Sequence, residues 1–399
     1  MKSVKDLQLK GKRVFVRVDY NLPMDESLNI TDDNRIRATL PLINYLIEKQ
    51  AKIILASHMG RPEGKRNDRL SLAPAAEQLS VLLNRKIDFA DDCIGTYARE
   101  RAAKLENGAI LVLENLRFHK GEKSNDPDFA KELAALCDVY VNNAFSVSHR
   151  SQASVVAIVP CVRESAAGFL LEKEVACYND CVKNPTRPLV AVIGGAKVST
   201  KLNALNNMLN YVDTLIIGGA MANTFLKGCG IDTKGCLIEA DLVSTAKDIV
   251  KTANERGVEL LLPEDLVAAE KFDKNALKQT VLINEIPDQY MALDIGPKTA
   301  FVFAKAIKKA KTIVWNGPMG VFEMEAFRAG TQVVADAVAE SSGFSVVGGG
   351  DTGLAVKLCR VAEKISYIST GGGAFLHLME GRALPGVSAL EDHAQKGAK

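Results

Sequence analysis

The first half of this 399-residue chain repeatedly places guanidinium and imidazole groups directly after short apolar runs. The stretches are Arg17-Val18-Asp19-Tyr20-Asn21, Ser57-His58-Met59-Gly60-Arg61-Pro62, Glu114-Asn115-Leu116-Arg117-Phe118-His119 and a segment ending Ser148-His149-Arg150. A guanidinium keeps its charge and makes paired hydrogen bonds to phosphate or carboxylate oxygens, so several on one rim suit a small polyanion. Taken singly, each residue has a plainer reading as a solvated loop arginine, a structural salt bridge or a hydrogen-bonded structural histidine. Their recurrence at successive run ends favours a ligand.

The second half presents glycine at the equivalent points: Gly194-Gly195-Ala196-Lys197-Val198-Ser199-Thr200-Lys201, Gly218-Gly219-Ala220, Asn316-Gly317-Pro318-Met319-Gly320, Gly348-Gly349-Gly350-Asp351-Thr352 and Gly371-Gly372-Gly373. Glycine lets a backbone approach a ligand closely, and a helix beginning just beyond points free N–H groups at an anion. A nucleotide phosphate chain fits such a set, although a lone glycine pair marks only a tight turn or close helix–sheet packing. Lys197 and Lys201 stand four apart where a helix should begin, which puts both ammonium groups on one helical face near phosphates. Asp351 is the candidate ligand for magnesium, a hard cation that takes carboxylate oxygen; the alternative is a helix-capping aspartate. Neither GxxxxGK followed by Ser or Thr nor a strict GxGxxG after the first strand occurs, which disfavours a P-loop NTPase and an ordinary NAD dehydrogenase.

Parallel strands with helical crossovers position these residues. The runs Arg13 to Val18, Lys52 to Ala56, Ala109 to Leu113 and Val139 to Val141 are apolar throughout, as strands covered on both faces are, and helical stretches such as Ile36 to Lys49 and Leu72 to Leu83 lie between them. The rhythm restarts with Leu189 to Ile193, Thr214 to Ile217, Glu259 to Leu262, Met291 to Asp294, Thr312 to Trp315, Phe344 to Val347 and Ser366 to Ile368. The expectation is an α/β protein with two doubly wound sheets, ligands lying beyond the carboxyl ends of the strands. Ala166 to Val182, with Leu171, Val175, Tyr178 and Val182 in helical register before Pro185 and Pro188, is the expected connecting helix.

Bulk properties narrow the function further. A chain of this length exceeds one core and suits two domains. The formal net charge of +2 gives no support to nucleic-acid binding. The N-terminus lacks an apolar signal core and no stretch offers the ~20 apolar residues of a membrane span, so a soluble, cytoplasmic protein with no membrane partner is expected. The 8 cysteines are scattered without a CxxC pair and the 5 histidines form no zinc-ligand pattern; reduced thiols and no dedicated zinc site are expected.

From about Lys12 to about Leu390 the chain resembles the phosphoglycerate kinases. Arg17 to Pro23 is similar to the family's RVDFNVP, Ser57 to Pro62 to its SHLGRP, and Glu114 to Phe118, the GGAKV segment, Trp315 to Glu323, Gly348 to Thr352 and Ser369 to Ala374 follow in family order. The resemblance implies two Rossmann-like lobes with parallel-sheet cores joined by a helical hinge. The implied division is an N-terminal lobe at 1–166, the hinge at 167–183, a nucleotide lobe at 184–375 and a tail at 376–399 returning to the first lobe.

It also implies reversible transfer of a phosphoryl group between 1,3-bisphosphoglycerate and ADP, giving 3-phosphoglycerate and ATP, with Mg2+ accompanying the nucleotide and the protein monomeric. Asp19, Asn21, Arg35, His58, Arg61, Arg117 and Arg150 would bind the glycerate. Gly195, Lys197, Lys201, Gly219, Asn316, Pro318, Glu323, Gly349, Gly350, Asp351 and Thr352 would serve the nucleotide, with Asp351 on the metal and Arg35, Lys197 and Lys201 at the transfer centre. Cleft closure would then exclude water. The rival reading is an inert nucleotide-binding scaffold of the same fold. Three departures stand out: Asn142 to Ser148 replaces a segment usually close to MDAFGTA, Ala220 stands where a third glycine is usual, and His377 where glutamate is frequent.

Overall fold

The computed structural model of the chain describes residues 1–396, which form two compact units, Met1–Val175 with the chain from Ala383 onward, and Ala176–Arg382. In the first unit, β1 (Arg13–Arg17), β2 (Lys52–Ala56), β3 (Asp88–Ala90), β4 (Ile110–Leu113), β5 (Val139–Asn142) and β6 (Glu164–Ala167) make one parallel sheet ordered β3-β4-β2-β1-β5-β6. The interior strands are buried almost end to end, which is why they read as unbroken apolar runs. Strand order reverses between β1 and β5, so their carboxyl ends open a crevice.

The second unit repeats the plan with β7 (Leu189–Ile193), β8 (Thr214–Ile217) and β9 (Glu259–Leu261) on one side. Its other members are β13 (Thr312–Asn316), β14 (Phe344–Val347) and β15 (Tyr367–Ile368), and the order is β15-β14-β13-β7-β8-β9. The reversal here lies between β7 and β13, the strands that precede Gly194 and Gly317. Trp315, Phe303 and Val334 anchor the core against this sheet.

Two expectations need correction. Met291 to Asp294 is not a strand of the second parallel sheet: β12 (Met291–Ile295) pairs antiparallel with β10 (Asp265–Ala269), which pairs antiparallel with β11 (Lys278–Leu282) in a separate three-stranded sheet. The eight residues 270–277 join β10 to β11 as a hairpin, too short for a crossover helix, while 283–290 carry the chain across β10 to its other edge, where β12 lies antiparallel to it. Nor is Ala166 to Val182 a single helix. Its first residues complete β6, Gly168 breaks the path by donating to the Asn142 carbonyl at 2.8 Å, and the helix Phe169–Tyr178 ends in a π turn, Asn179–Lys183. The chain passes from one unit to the other inside that helix, between Val175 and Ala176, and the helix Gly372–Met379 belongs to the second unit.

Beneath the crevice of the first unit lies Arg17, with no exposed surface. Its Nε donates to Ser154 Oγ at 2.8 Å, and its Nη2 is 3.9 Å from Glu122 Oε1. Glu122, also fully buried, accepts from the Ser154 hydroxyl at 2.6 Å and the Ser154 N–H at 2.9 Å. A buried ion pair is expensive to break from one side, because the surviving charge has no water. Glu122→Ala should destabilise the first unit by about 3–5 kcal/mol, read as an earlier urea transition in circular dichroism. Trp315, the chain's 1 tryptophan, is buried in the second unit and its fluorescence transition should stay in place. An unmoved dichroism transition would contradict the role given to this pair.

Candidate active site

The glycerate-side residues form two groups. Asp19, just beyond β1, accepts on Oδ2 from both Arg35 and the Ser146 hydroxyl in short contacts, and on Oδ1 from the Asn21 N–H at 3.2 Å. Asn21 in turn accepts the Gly60 N–H at 2.9 Å, which ties the β1 loop to the β2 loop. Arg35 enters from the first turn of the helix Asn34–Glu48. His58 follows β2 and is 3% exposed, its Nδ1 lying 3.2 Å from Arg17 Nη2. A guanidinium only donates, so Nδ1 accepts and the ring is neutral. Burial, with Arg17, Arg117 and Arg150 nearby, holds His58 well below its usual range despite the opposing pull of Asp19. Burial also works against the charged form of Asp19, yet its neighbours outweigh that effect and hold the carboxyl below its usual value. With His58 neutral, Arg35, Ser146 and Arg17 are what keep it ionised.

The second group is arginine. Arg117 sits in the turn Leu116–Phe118 after β4, positioned by Asn115, whose side chain accepts the Arg117 N–H at 3.0 Å. Its Nη1 donates to the Gly60 carbonyl at 2.7 Å, while Nε is buried with no partner among the described residues. Burial, then Arg150 and Arg17, lower its pKa to about 10. An unpartnered buried donor in a cationic neighbourhood is a place for an anion. Arg61 and Arg150 are exposed, Arg150 lending Nε to His149 at 3.3 Å.

On the nucleotide side the glycine loops pack against one another at the β7/β13 reversal. The Gly195 N–H donates to the Pro318 carbonyl at 3.0 Å and the Gly219 N–H to the Met319 carbonyl at 3.0 Å. Gly219 has φ +69, and a Cβ there would lie 2.5 Å from the Gly195 nitrogen, so glycine is obligatory. Ala220 has φ −62 and ψ −25, an ordinary right-handed conformation, so the missing third glycine costs nothing in backbone geometry. These loops rim a cavity of about 530 Å³, a volume that takes a mononucleotide. Gly195, Gly219, Pro318, Glu323 and Asp351 line it.

The cavity also uses residues that sequence reasoning did not single out. Leu266, Met291 and Leu293 come from the antiparallel sheet, with Asn223 and Phe322 beside them. Asp294 lines it too, its carboxyl pushed up to about 7 by burial against the opposing effect of the Gly330 and Ile295 N–H groups. The spacing that marks a helix face cannot mark a pocket wall assembled from strands far apart in sequence.

The two lysines do not share a helical face. The helix begins at Leu202, after a turn in which the Lys201 N–H donates to the Val198 carbonyl, and Ser199 is tied to Glu239 through N–H and hydroxyl bonds of 3.0 and 2.5 Å. Lys201 folds back so that Nζ donates to the carbonyls of Gly194 at 2.6 Å and Asn316 at 2.9 Å; Lys197 is exposed. Burial lowers the Lys201 pKa to about 8, opposed by Asp351. Asn316 donates to the Gly348 carbonyl at 2.8 Å, and the buried Thr352 hydroxyl accepts the Gly317 N–H at 2.7 Å, so both brace the loops. Gly349 is the N-cap of the helix Gly350–Leu358 without a side-chain cap bond, and Asp351 is exposed at the cavity rim. Asp351 is therefore in the first turn of that helix and is not its N-cap.

One other cluster among the described residues brings metal-type donors together: Asp92, Cys93 and His119, with donor atoms within 4.8 Å. The His119 Nε2 is engaged with Asp92 at 2.7 Å, and burial, then Asp92 and Glu122, drive the Cys93 thiol well above its usual value, so a structural link accounts for the group.

Known proteins match this sequence and fold. The family model described as phosphoglycerate kinase covers residues 4–382. The chain belongs to the phosphoglycerate kinase family. It is 63% identical over 391 residues to the phosphoglycerate kinase of Desulforapulum autotrophicum, covering 98% of this chain and 100% of that one. It is 55% identical to that of Desulfosudis oleivorans, covering 98% and 99%. The solved phosphoglycerate kinase of Coxiella burnetii superposes with a TM-score of 0.92 at 42% identity over 98% of this chain and 99% of its own, and that of Pyrococcus horikoshii with 0.85 at 33% over 99% and 100%. Like those structures, the chain has two parallel-sheet α/β units.

A neutral His58 makes a pH prediction. The unfolded histidine binds a proton below about pH 6.5, and the folded one resists it, so the unfolded state holds more protons as pH falls. Stability of the first unit should therefore drop below about pH 6.5 by up to roughly 1.4 kcal/mol per pH unit. In urea titrations between pH 7 and 5, His58→Gln should flatten that slope; an identical slope would place the histidine's titration elsewhere.

Proposed function

We propose that the arginine-rich rim of the first unit binds 3-phosphoglycerate and that the glycine loops of the second bind ATP or ADP, so that the chain carries out the phosphoglycerate kinase reaction, phosphoryl transfer to and from a carboxyl group. The observation that carries the glycerate assignment is the buried, unpartnered Nε of Arg117 beside Arg150. Arg61, Arg117 and Arg150 anchor the phosphate. Asp19 is an acceptor among cations, and the one donor that the glycerate offers it is the C2 hydroxyl.

The reacting carboxylate is already ionised near neutral pH, so transfer needs no general base. What it needs is alignment and charge stabilisation on the moving phosphoryl group, supplied by Arg35, Lys197 and Lys201. Lys201 Nζ spends two of its three donors on loop carbonyls, which fixes the ammonium and leaves the third for a nucleotide phosphate. Asp351 would hold magnesium, which would neutralise nucleotide phosphate charge. A monomer working in the cytoplasm belongs to the same proposal; among the described residues no helix is long and apolar enough to cross a membrane. The inert-scaffold alternative has no observation in its favour.

The deciding assay is ADP formation from ATP by the purified protein, with enzymatic removal of the acyl-phosphate product. Turnover should require both Mg2+ and 3-phosphoglycerate, and ADP formation indifferent to the glycerate would overturn the reading. Lys201→Met should lower kcat roughly 10²–10³-fold with a smaller change in either KM. Asp351→Asn should raise the Mg2+ concentration needed for half-maximal rate about tenfold or more. An unchanged kcat for the first or an unchanged metal requirement for the second removes that residue from its role.

A further inference from the structure

Asn142 to Ser148, the stretch that departs from the family's usual pattern, builds a contact that a glycine in its place cannot make. Ser146 lies in the turn Phe145–Val147 directly after β5, and its hydroxyl donates to Asp19 Oδ2, the same oxygen that takes Arg35. The turn is itself clamped. Asn142 Oδ1 accepts the Ala144 N–H at 3.0 Å, Asn142 Nδ2 donates to Ser148 Oγ at 3.2 Å, and the Ser148 hydroxyl donates to the Ala144 carbonyl at 3.0 Å. Asn142 and Ser148 are fully buried, so the clamp has no competing water.

A carboxylate oxygen has two good acceptor directions. With Arg35 and Ser146 on Oδ2, that oxygen is filled; Oδ1 takes the Asn21 N–H at 3.2 Å, with the neutral His58 Nδ1 3.8 Å away and Arg17 beyond it, and has capacity for one more donor. We propose that Ser146 is a positioning residue for the acceptor substrate: it fixes the rotation of the Asp19 carboxylate and so presents Oδ1 to the glycerate hydroxyl. The proposal rests on the assignment of Asp19 to 3-phosphoglycerate. Without the hydroxyl, Oδ2 is held by Arg35 alone, and only the longer Asn21 N–H bond on Oδ1 still opposes rotation of the carboxylate.

Three variants test this, with 3-phosphoglycerate as the probe in both calorimetry and steady-state kinetics. Ser146→Ala and Ser146→Gly should weaken 3-phosphoglycerate binding and raise its KM roughly three- to tenfold. The KM for ATP and kcat should stay within about twofold. Ser146→Thr, which keeps the hydroxyl, should recover most of the affinity. A hydrogen bond to the ionised carboxylate favours ionisation, so in Ser146→Ala the acid limb of 3-phosphoglycerate affinity should move to higher pH than in the native protein. Substrate phosphate titration is common to both proteins and cancels in that comparison. Unchanged affinity together with an unmoved acid limb in Ser146→Ala would overturn the proposal. Because binding is measured directly, a native protein that binds the glycerate without turning it over would count against the proposed reaction and leave this test intact.

Discussion

A guanidinium with no access to water governs the electrostatics of the first unit. Arg17 cannot shed its proton, so everything near it must adapt to a fixed positive charge. Glu122 and Ser154 neutralise it from below, and His58 above it is forced to stay neutral and to offer Nδ1 as an acceptor. Asp19 is kept anionic by Arg35 and Ser146 in spite of its burial. The result is a floor whose charge pattern is set before any ligand arrives, with the surplus positive charge of Arg117, Arg61 and Arg150 left at the rim. A site of this kind does not reorganise to meet an anion, and that is where electrostatic catalysis gains most.

The second unit reaches a comparable end with backbone in place of side-chain charge. At the β7/β13 reversal, Gly194, Gly219 and Gly317 lie closer to neighbouring main chain than any Cβ permits, Gly219 against Gly195 and Gly317 against Gly194. That approach leaves a shallow bed of N–H groups and carbonyls, and Lys201 adds one ammonium pinned to two of those carbonyls. Its depressed pKa reflects burial without a compensating anion beyond Asp351. A phosphate chain would supply the missing charge, so this lysine is least comfortable when no nucleotide is present.

Much of this was legible in the sequence, and the misses share a cause. Strands such as Lys52–Ala56 and Leu189–Ile193 were readable because parallel strands buried on both faces must be apolar at every position. Arg17 to Asn21 and the glycine loops were readable because open parallel sheets place ligand contacts after their strands. What failed depended on partners far along the chain. Glu164–Ala167 has no β-branched residue and becomes a strand only by pairing with β5. Met291–Ile295 looked like one more parallel strand, and only its pairing with Asp265–Ala269 makes it antiparallel and turns it into a cavity wall. The lysine spacing suggested a shared helical face, whereas Glu239 captures Ser199 and delays the helix past both.

The same dependence on distant partners holds for the segment after β5. Asn142 and Ser148 put polar atoms where burial demands a partner for each, and each is the other's partner. Beyond this pair, the Arg150 N–H closes onto the Val147 carbonyl at 2.9 Å. From the far end of the chain, Gly386 donates to the Ser148 carbonyl at 2.9 Å, and a Cβ there would meet Val155 at 2.7 Å and Asn142 Nδ2 at 3.1 Å. The helix Pro385–Lys396 is thus seated on the turn that aims Ser146. Replacing Ser148 alone by an apolar residue would leave the buried Asn142 Nδ2 without its partner, whereas the Ser148 hydroxyl would keep the Ala144 carbonyl if Asn142 were replaced. The departures therefore make physical sense as a set, with Ser146 as the member whose hydroxyl reaches the charged floor of the site.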